Sequence, residues 1–300
     1  MGGLFSPGKL LLTSEYAVLD GALALAVPTR PGQEFFFEVF PGGSSLVWEA
    51  FHQGKRWLYL RADYSDWRIL ETNHPKAAAF VLHTLRQLQG LASPKFRGEE
   101  SYVLKTNLQF PADYGLGSSS TLMNNLAQWA EVDAFLLNEK ALGGSGYDIA
   151  VAMEKKPLLF QLTEQGRCVE TVNLDWAFRE ELLFIHLNQK QDSREGIALY
   201  KAKPRSKEFV DRFTAITRLA LSADGLALFS DLMEEHELLL ASFLERETVK
   251  SLFFSDCPVF VKSLGAWGGD FVMSRKFSGW EDYFSGKGFS KVLTWNQLIV

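Results

Sequence analysis

The segment Pro111-Ala112-Asp113-Tyr114-Gly115-Leu116-Gly117-Ser118-Ser119-Ser120-Thr121 joins an alternating apolar pattern (Tyr102, Leu104, Thr106, Leu108, Phe110) to an amphipathic run that starts near Thr121. A glycine-rich turn feeding a helix leaves unpaired backbone N–H groups at the helix start. The helix dipole and nearby serine hydroxyls add to them, and together they form a concave anion site suited to phosphate. A plain strand-to-helix turn with an N-cap accounts for the same residues without a ligand. No G-x-x-x-x-G-K-[ST], H-R-D or D-F-G occurs in the chain, and Ser120 stands where a dinucleotide fingerprint needs its third glycine.

Three further segments carry chemistry-bearing residues. The first runs from Ser6-Pro7-Gly8-Lys9 to Glu15-Tyr16-Ala17-Val18, the second is Gly144-Ser145-Gly146-Tyr147-Asp148-Ile149-Ala150, and the third is Lys262-Ser263-Leu264-Gly265-Ala266-Trp267-Gly268-Gly269-Asp270. With the glycine-rich loop they supply what phosphoryl transfer needs: in-line positioning, neutralised oxygens and a group to take the acceptor's proton. Each also has a bland reading. Asp148 could cap a short helical stretch, Ile149–Glu154. Lys9 could be a surface lysine, and Gly268-Gly269 could turn a hairpin. Lys190 and Arg194, in the loop after the apolar strand Leu182–Leu187, are placed to hold an anionic acceptor or to form a solvated charged loop.

Taken in chain order, the four segments resemble the GHMP family of small-molecule kinases, which includes galactokinase, homoserine kinase, mevalonate kinase and phosphomevalonate kinase. The resemblance runs from residue 6 to about 274, and the Gly144–Ala150 segment is similar to a subgroup marked by Gly-Tyr-Asp-Ile-Ala. Pro-Gly-Lys followed by Glu-Tyr-Ala-Val looks more like the mevalonate and phosphomevalonate kinases than the sugar kinases, and Gly268-Gly269-Asp270 leans towards phosphomevalonate kinase.

The resemblance implies an α+β, two-lobed fold. A ribosomal-S5-like lobe (1–155) would carry the loop, and a ferredoxin-like α/β lobe (156–300) would follow. It implies ATP and Mg²⁺ as cofactors, with the γ-phosphoryl passed to a small anionic metabolite, mevalonate or 5-phosphomevalonate first. That chemistry belongs to the making of isoprenoid precursors. Gly115, Leu116, Gly117, Ser118, Ser119 and Ser120 would cradle the ATP phosphates, with Ser118 rather than Ser119 presenting its hydroxyl to Mg²⁺. Asp148 would orient or deprotonate the acceptor, with Lys9 beside it. Glu15, Tyr16, Lys190, Ser193, Arg194, Gly268 and Gly269 would contact the substrate.

Departures from the family pattern are local. Ser14 and Trp267 replace small residues, so the indole should narrow the site or pack over a neighbour. Leu137 stands where the Mg²⁺-binding glutamate is expected. Glu139 takes that role in its place, with Glu131 and Asp133 as alternatives. A diphosphomevalonate decarboxylase branch and a nucleotide-binding module without turnover are the competing readings.

The elements that must position these residues read as mixed α+β. Strands are expected at Leu10–Thr13, Leu23–Val27, Gln33–Phe40, Leu46–Phe51, Trp57–Ala62, Leu158–Leu162, Cys168–Val172, Leu182–Leu187, Val259–Lys262 and Asp270–Ser274, with Pro31-Gly32 as a turn. Helices are expected at Pro75–Gly90, Thr121–Glu131, Asp133–Leu142, Lys207–Leu221 and Leu226–Arg246. A chain of 300 residues, 47% of them hydrophobic, is long enough for a large core or two domains. Its net charge of −5 offers no basic field for a nucleic acid. Cys168 and Cys257 lack metal spacing and read as buried thiols in a reducing compartment. Without a secretory signal or long apolar run, the expectation is a cytoplasmic monomer or homodimer with no membrane partner.

Overall fold

The computed structural model describes residues 2–91, 93–189, 193–265 and 267–300, the side chains of 193 and 194 excepted. The chain divides into two compact units. One comprises Met1–Gly8, Pro31–Ala112 and Leu116–Lys155; the other comprises Lys9–Arg30, Asp113–Gly115 and Lys156–Val300.

The first unit contains most of β1 (Gly2–Leu11) and the second part of β2 (Ala24–Pro41), followed by β3 (Ser45–His52), β4 (Lys55–Asp63), β5 (Arg68–Thr72), α1 (Pro75–Gly90) and β6 (Glu100–Leu108). It ends with α2 (Ser118–Ala130), α3 (Ala134–Ala141) and α4 (Tyr147–Glu154). Its sheet runs β5-β4-β3-β6-β2, with β1 also paired to β2. β3 and β6 are parallel, with Leu46 opposite Tyr102. The period-2 pattern of β6 turns Tyr102, Leu104, Thr106 and Leu108 inward. α1 starts on Pro75 and buries Ala78, Val81, Leu82, Leu85 and Leu88, the i, i+3, i+4 stripe of an amphipathic helix. These faces close on an aromatic centre in which Trp129 meets Phe35 at 5.7 Å and Tyr102 at 5.5 Å between ring centroids.

The second unit takes the start of β2, whose Ala24 pairs with Phe160 of β7 (Leu158–Thr163), and β7 pairs in turn with β8 (Gly166–Thr171). Then come β9 (Leu182–His186), α5 (Ser193–Lys201), α6 (Lys207–Leu221), α7 (Leu226–Leu244), α8 (Val249–Phe253), β10 (Lys262–Leu264), β11 (Phe271–Arg275), α9 (Trp280–Gly286), β12 (Val292–Thr294) and α10 (Trp295–Leu298). Four strands form a second sheet in the order β10-β11-β9-β12, antiparallel throughout. β9, inside this sheet, is buried along its whole length and apolar up to His186.

Several expected boundaries change. Pro31-Gly32 is not a turn: β2 passes straight through it. A Cβ on Gly32 would overlap the Ser6 carbonyl oxygen, so the glycine makes room for the neighbouring strand. The expected strand at Val259–Lys262 is shifted to Lys262–Leu264, and β1 begins well before Leu10. β5, α5, α8, α9, β12 and α10 were not expected. Cys257 is buried as expected, whereas Cys168 is exposed on β8. Among the described residues no helix is long and apolar enough to cross a membrane.

Candidate functional site

In the first unit the site is built around the start of α2. Gly117 is its N-cap, held at φ 84° in the left-handed region that glycine enters without steric cost, and no side chain caps the helix. The N-terminal turn therefore has no side-chain oxygen covering its N–H groups, and its positive dipole end is open to an anion. Ser118 is half-buried and Ser119 exposed. Ser120 is buried and donates its hydroxyl to the Gly117 carbonyl at 2.8 Å. Ser120 thus shapes the turn through its side chain, while Ser118 and Ser119 are the more accessible hydroxyls.

A buried polar network fixes this helix. The Thr121 hydroxyl lies 2.8 Å from Gln33 Oε1 and 2.9 Å from the Ser118 carbonyl. Asn124 Nδ2 donates to Ser6 Oγ at 2.8 Å and to the Ala152 carbonyl of α4 at 3.0 Å. Ser6 Oγ donates to Asn125 Oδ1, and Asn125 Nδ2 donates to the Gln33 carbonyl. These side chains are all buried, so each unmade bond would cost about 1–3 kcal/mol. The network joins α2 to β1, β2 and α4 and leaves its first turn little freedom.

Asp148 is the second residue of α4, half-buried, behind a left-handed Gly146 at the N-cap. Its Oδ1 accepts from the Ile149 N–H at 3.1 Å. The helix carrying Asp148 is therefore the helix tied to α2 through Asn124. The carboxylates proposed for a metal lie on or beside different helices. Glu139 is exposed on α3, Glu131 ends α2 in the left-handed conformation, and Asp133 caps α3 by accepting from Leu136 N–H. Leu137 is fully buried in the core. Among the described residues no group of three or more His, Cys, Asp or Glu is arranged to hold a metal ion.

In the second unit three distant segments meet. Lys9 Nζ donates to the Gly115 carbonyl at 3.0 Å. Gly115 itself, at φ 64°, lies so close to Asp270 that a Cβ would overlap the Asp270 carboxylate, which explains the glycine on two independent grounds. The Leu187 N–H donates to the Asp270 carbonyl at 3.0 Å, and Gln189 Nε2 donates to the Gly268 carbonyl at 3.0 Å. The turn at Gly268 and Gly269 has positive φ at both residues and is joined to the segment after β9. Lys190 lies outside the described residues, as do the side chains of Ser193 and Arg194, the first two residues of α5.

His186 and Tyr114 belong to the same unit and were not among the candidate site residues. Their rings pack 4.4 Å apart, with Phe271 edge-on to both. His186 Nδ1 accepts from the Asn188 N–H at 3.2 Å, which places the ring proton on Nε2. That Nε2 is buried and has no hydrogen-bond partner among the described residues. The only sequence signal was a histidine ending an otherwise apolar strand, directly before the charged loop.

Behind the Gly268 turn lies a buried charged cluster. Lys262 is fully buried and donates to Glu15 Oε1 at 2.6 Å and to the Ser263 carbonyl at 2.8 Å. Glu15 Oε2 is 3.1 Å from His236 Nε2, which accepts the Ser14 N–H at 2.7 Å. Glu237 accepts from the Ser263 N–H and hydroxyl. The Tyr16 hydroxyl accepts the Trp267 N–H at 2.6 Å, and its ring stacks on Tyr200. The structure thus places Glu15 and Tyr16 in the interior, bound to the Lys262–Trp267 turn. The Trp267 indole packs over the Tyr16 and Tyr200 cluster.

Burial raises the Glu15 carboxyl above its usual range although Lys262 pulls it down. Burial, reinforced by Lys262, holds His236 well below its ordinary value. His236 is therefore neutral when folded and gains a proton near pH 6.5 only when unfolded. Its contribution to stability is complete above about pH 6.5 and is lost as the pH falls below that, at up to about 1.4 kcal/mol per pH unit. Denaturant melts from pH 7.5 to 5.5 should show this slope reduced in His236→Gln; equal slopes would contradict it.

No protein-family model and no curated protein matches the sequence. Solved structures do match. S. pneumoniae phosphomevalonate kinase, solved with phosphomevalonate and AMPPNP, superimposes with a TM-score of 0.73 at 16% identity, covering 98% of this chain and 100% of that one. L. major mevalonate kinase in complex with R-mevalonate gives 0.68 at 15% identity, covering 98% and 95%. Lactococcus lactis galactokinase with galactose gives 0.70 at 13%, covering 97% and 92%. This chain has the fold of the GHMP kinases. The likeness extends over nearly the whole chain and so takes in both of its units. It also accounts for the α+β mixture in each unit.

Proposed function

We propose that this chain is an ATP- and Mg²⁺-dependent kinase that phosphorylates a small anionic metabolite, with mevalonate and 5-phosphomevalonate the first candidates. The observation that carries this reading is the uncapped start of α2, held by a buried network that also holds the helix bearing Asp148. The matches to structures solved with R-mevalonate and with phosphomevalonate and AMPPNP support the choice of candidates.

The donor set at Gly117–Ser120 fits phosphate oxygens, since it offers a helix N-terminus and two accessible hydroxyls. The same residues fit a Mg²⁺ that arrives with the nucleotide, because such an ion keeps water and phosphate oxygens and needs few protein ligands. Ser118 would hold it, with Glu139 as the carboxylate on α3. When bound, the ion would neutralise charge on the transferring phosphoryl group.

In the reaction proposed, the acceptor oxygen forms a bond to the γ-phosphorus as the bond from that phosphorus to the β–γ bridging oxygen breaks, and ADP leaves. Asp148 receives the acceptor's proton. Lys9 steadies the loop through the Gly115 carbonyl and supplies positive charge there. His186, in the second unit, has a buried Nε2–H available to a ligand oxygen there. Glu15 and Tyr16 act from behind, holding the Trp267–Gly269 turn, and do not touch the acceptor.

Trp267, together with the absence of a carboxylate cluster among the described residues, favours a second reading, a nucleotide-binding module without turnover. Both readings predict that ATP raises the melting temperature, since a ligand at 100 times its Kd adds about 2.7 kcal/mol. They part at turnover. A phosphorylated product supports the kinase, release of carbon dioxide supports the decarboxylase branch, and binding without product supports the module.

A further inference from the structure

The first unit carries a polar cavity of about 770 Å³ between the turn that precedes β5 and the C-terminal half of α1. Its lining includes Trp67, His83, Arg86, Gln87, Gln89 and Arg97, and no Asp or Glu. His83, Arg86 and Gln87 stand at i, i+3 and i+4 and so share one face of the helix.

Exposed arginines usually sit against carboxylates or in open solvent. The other three arginines of this unit follow the first habit, as Arg56 pairs with Glu49, Arg61 with Glu71 and Arg68 with Asp66. Arg86 has no ion pair or hydrogen bond among the described residues, and Arg97 has only a bond from its Nε to the Ser93 carbonyl at 3.1 Å. Two unneutralised guanidinium groups thus line one concave surface on a chain whose net charge is −5.

The wall beside them is held in place. Trp67 adopts a left-handed φ of 57°, unusual for an aromatic residue, and its ring packs 5.3 Å from Phe96. Its Nε1 donates to Gln89 Oε1 at 3.3 Å, and Gln89 Nε2 donates to the Phe96 carbonyl at 2.6 Å. A wall fixed in this way loses little freedom on binding. The cavity volume falls in the range of small-molecule sites.

We propose that this cavity is an anion-binding site separate from the α2 loop, and that it takes a small polyanion such as a phosphate or diphosphate ester. Arg86 and Arg97 supply charge-assisted, bidentate-capable donors, and the glutamines and His83 take further oxygens. The site shares no residue with the proposed catalytic machinery, so it stands whether or not the kinase reading does.

The test is calorimetric titration of inorganic pyrophosphate, without Mg²⁺, into the full chain and into Arg86→Gln/Arg97→Gln. Both side chains are exposed, so the variant is expected to fold. Wild type should show a binding event that the double variant weakens at least tenfold, and indole quenching by pyrophosphate should be lost in Trp67→Phe. Binding of unchanged affinity in the double variant would assign the anion to another site and overturn the proposal. Absence of pyrophosphate binding to wild type would overturn it equally.

Discussion

Asp148→Asn is expected to lower kcat by about 10²–10⁴-fold, the usual worth of a positioned general base. Its stability should change by no more than a few tenths of a kcal/mol. The substitution is chosen because asparagine can still accept the Ile149 N–H while removing basicity and charge. If Asp148 served merely to cap α4, the variant would be nearly silent in activity as well as in stability. Nucleotide affinity, read as the ATP-induced melting shift, should stay within a few-fold of wild type, since the phosphates are assigned to the α2 turn. A variant that turns over at the wild-type rate would remove Asp148 from the mechanism.

Lys262→Ala should be the most destabilising single change in the second unit. It would leave Glu15 buried without its partner and free the Ser263 carbonyl, and breaking a buried ion pair from one side costs about 3–5 kcal/mol. At roughly 2–4 °C per kcal/mol for a chain approaching this size, the melting temperature should fall by on the order of 10 °C. Removing both charges in Lys262→Met/Glu15→Leu should recover a large part of the loss, because the penalty arises from the stranded charge and not from the missing attraction. A cost below about 1 kcal/mol for Lys262→Ala would contradict the burial of this pair. Because the pair sits behind the Trp267 turn, the single variant should also raise the acceptor KM more than it lowers kcat.

Much of the fold could be read locally. α6 was legible to the residue, since Ser206 caps it and Phe213, Ile216, Thr217 and Ala220 bury one face. β6 was legible from its strict alternation. β2 was not, because a Pro-Gly pair marks a turn in most sequences, whereas here the glycine yields space to the Ser6 carbonyl. The four motif segments were visible as types and spacings. Their contacts were not: nothing near Gly115 announces that Asp270 fills the place of a Cβ, 155 residues later in the chain. Lys262 is a harder case, since lysine is rarely buried and its partner Glu15 is 247 residues away. His186 shows its significance only through a buried ring nitrogen that lacks a partner, which is a property of the folded chain.

Phosphoryl transfer by this GHMP-fold chain would be measured as acceptor-dependent ADP release from ATP and Mg²⁺. Mevalonate, 5-phosphomevalonate, homoserine and simple sugars would be offered in turn. ADP release well above the acceptor-free background is expected with mevalonate or 5-phosphomevalonate, matched by a phosphorylated product and without carbon dioxide. A folded protein whose melting temperature rises with ATP but which forms no ADP with any of these acceptors would contradict it.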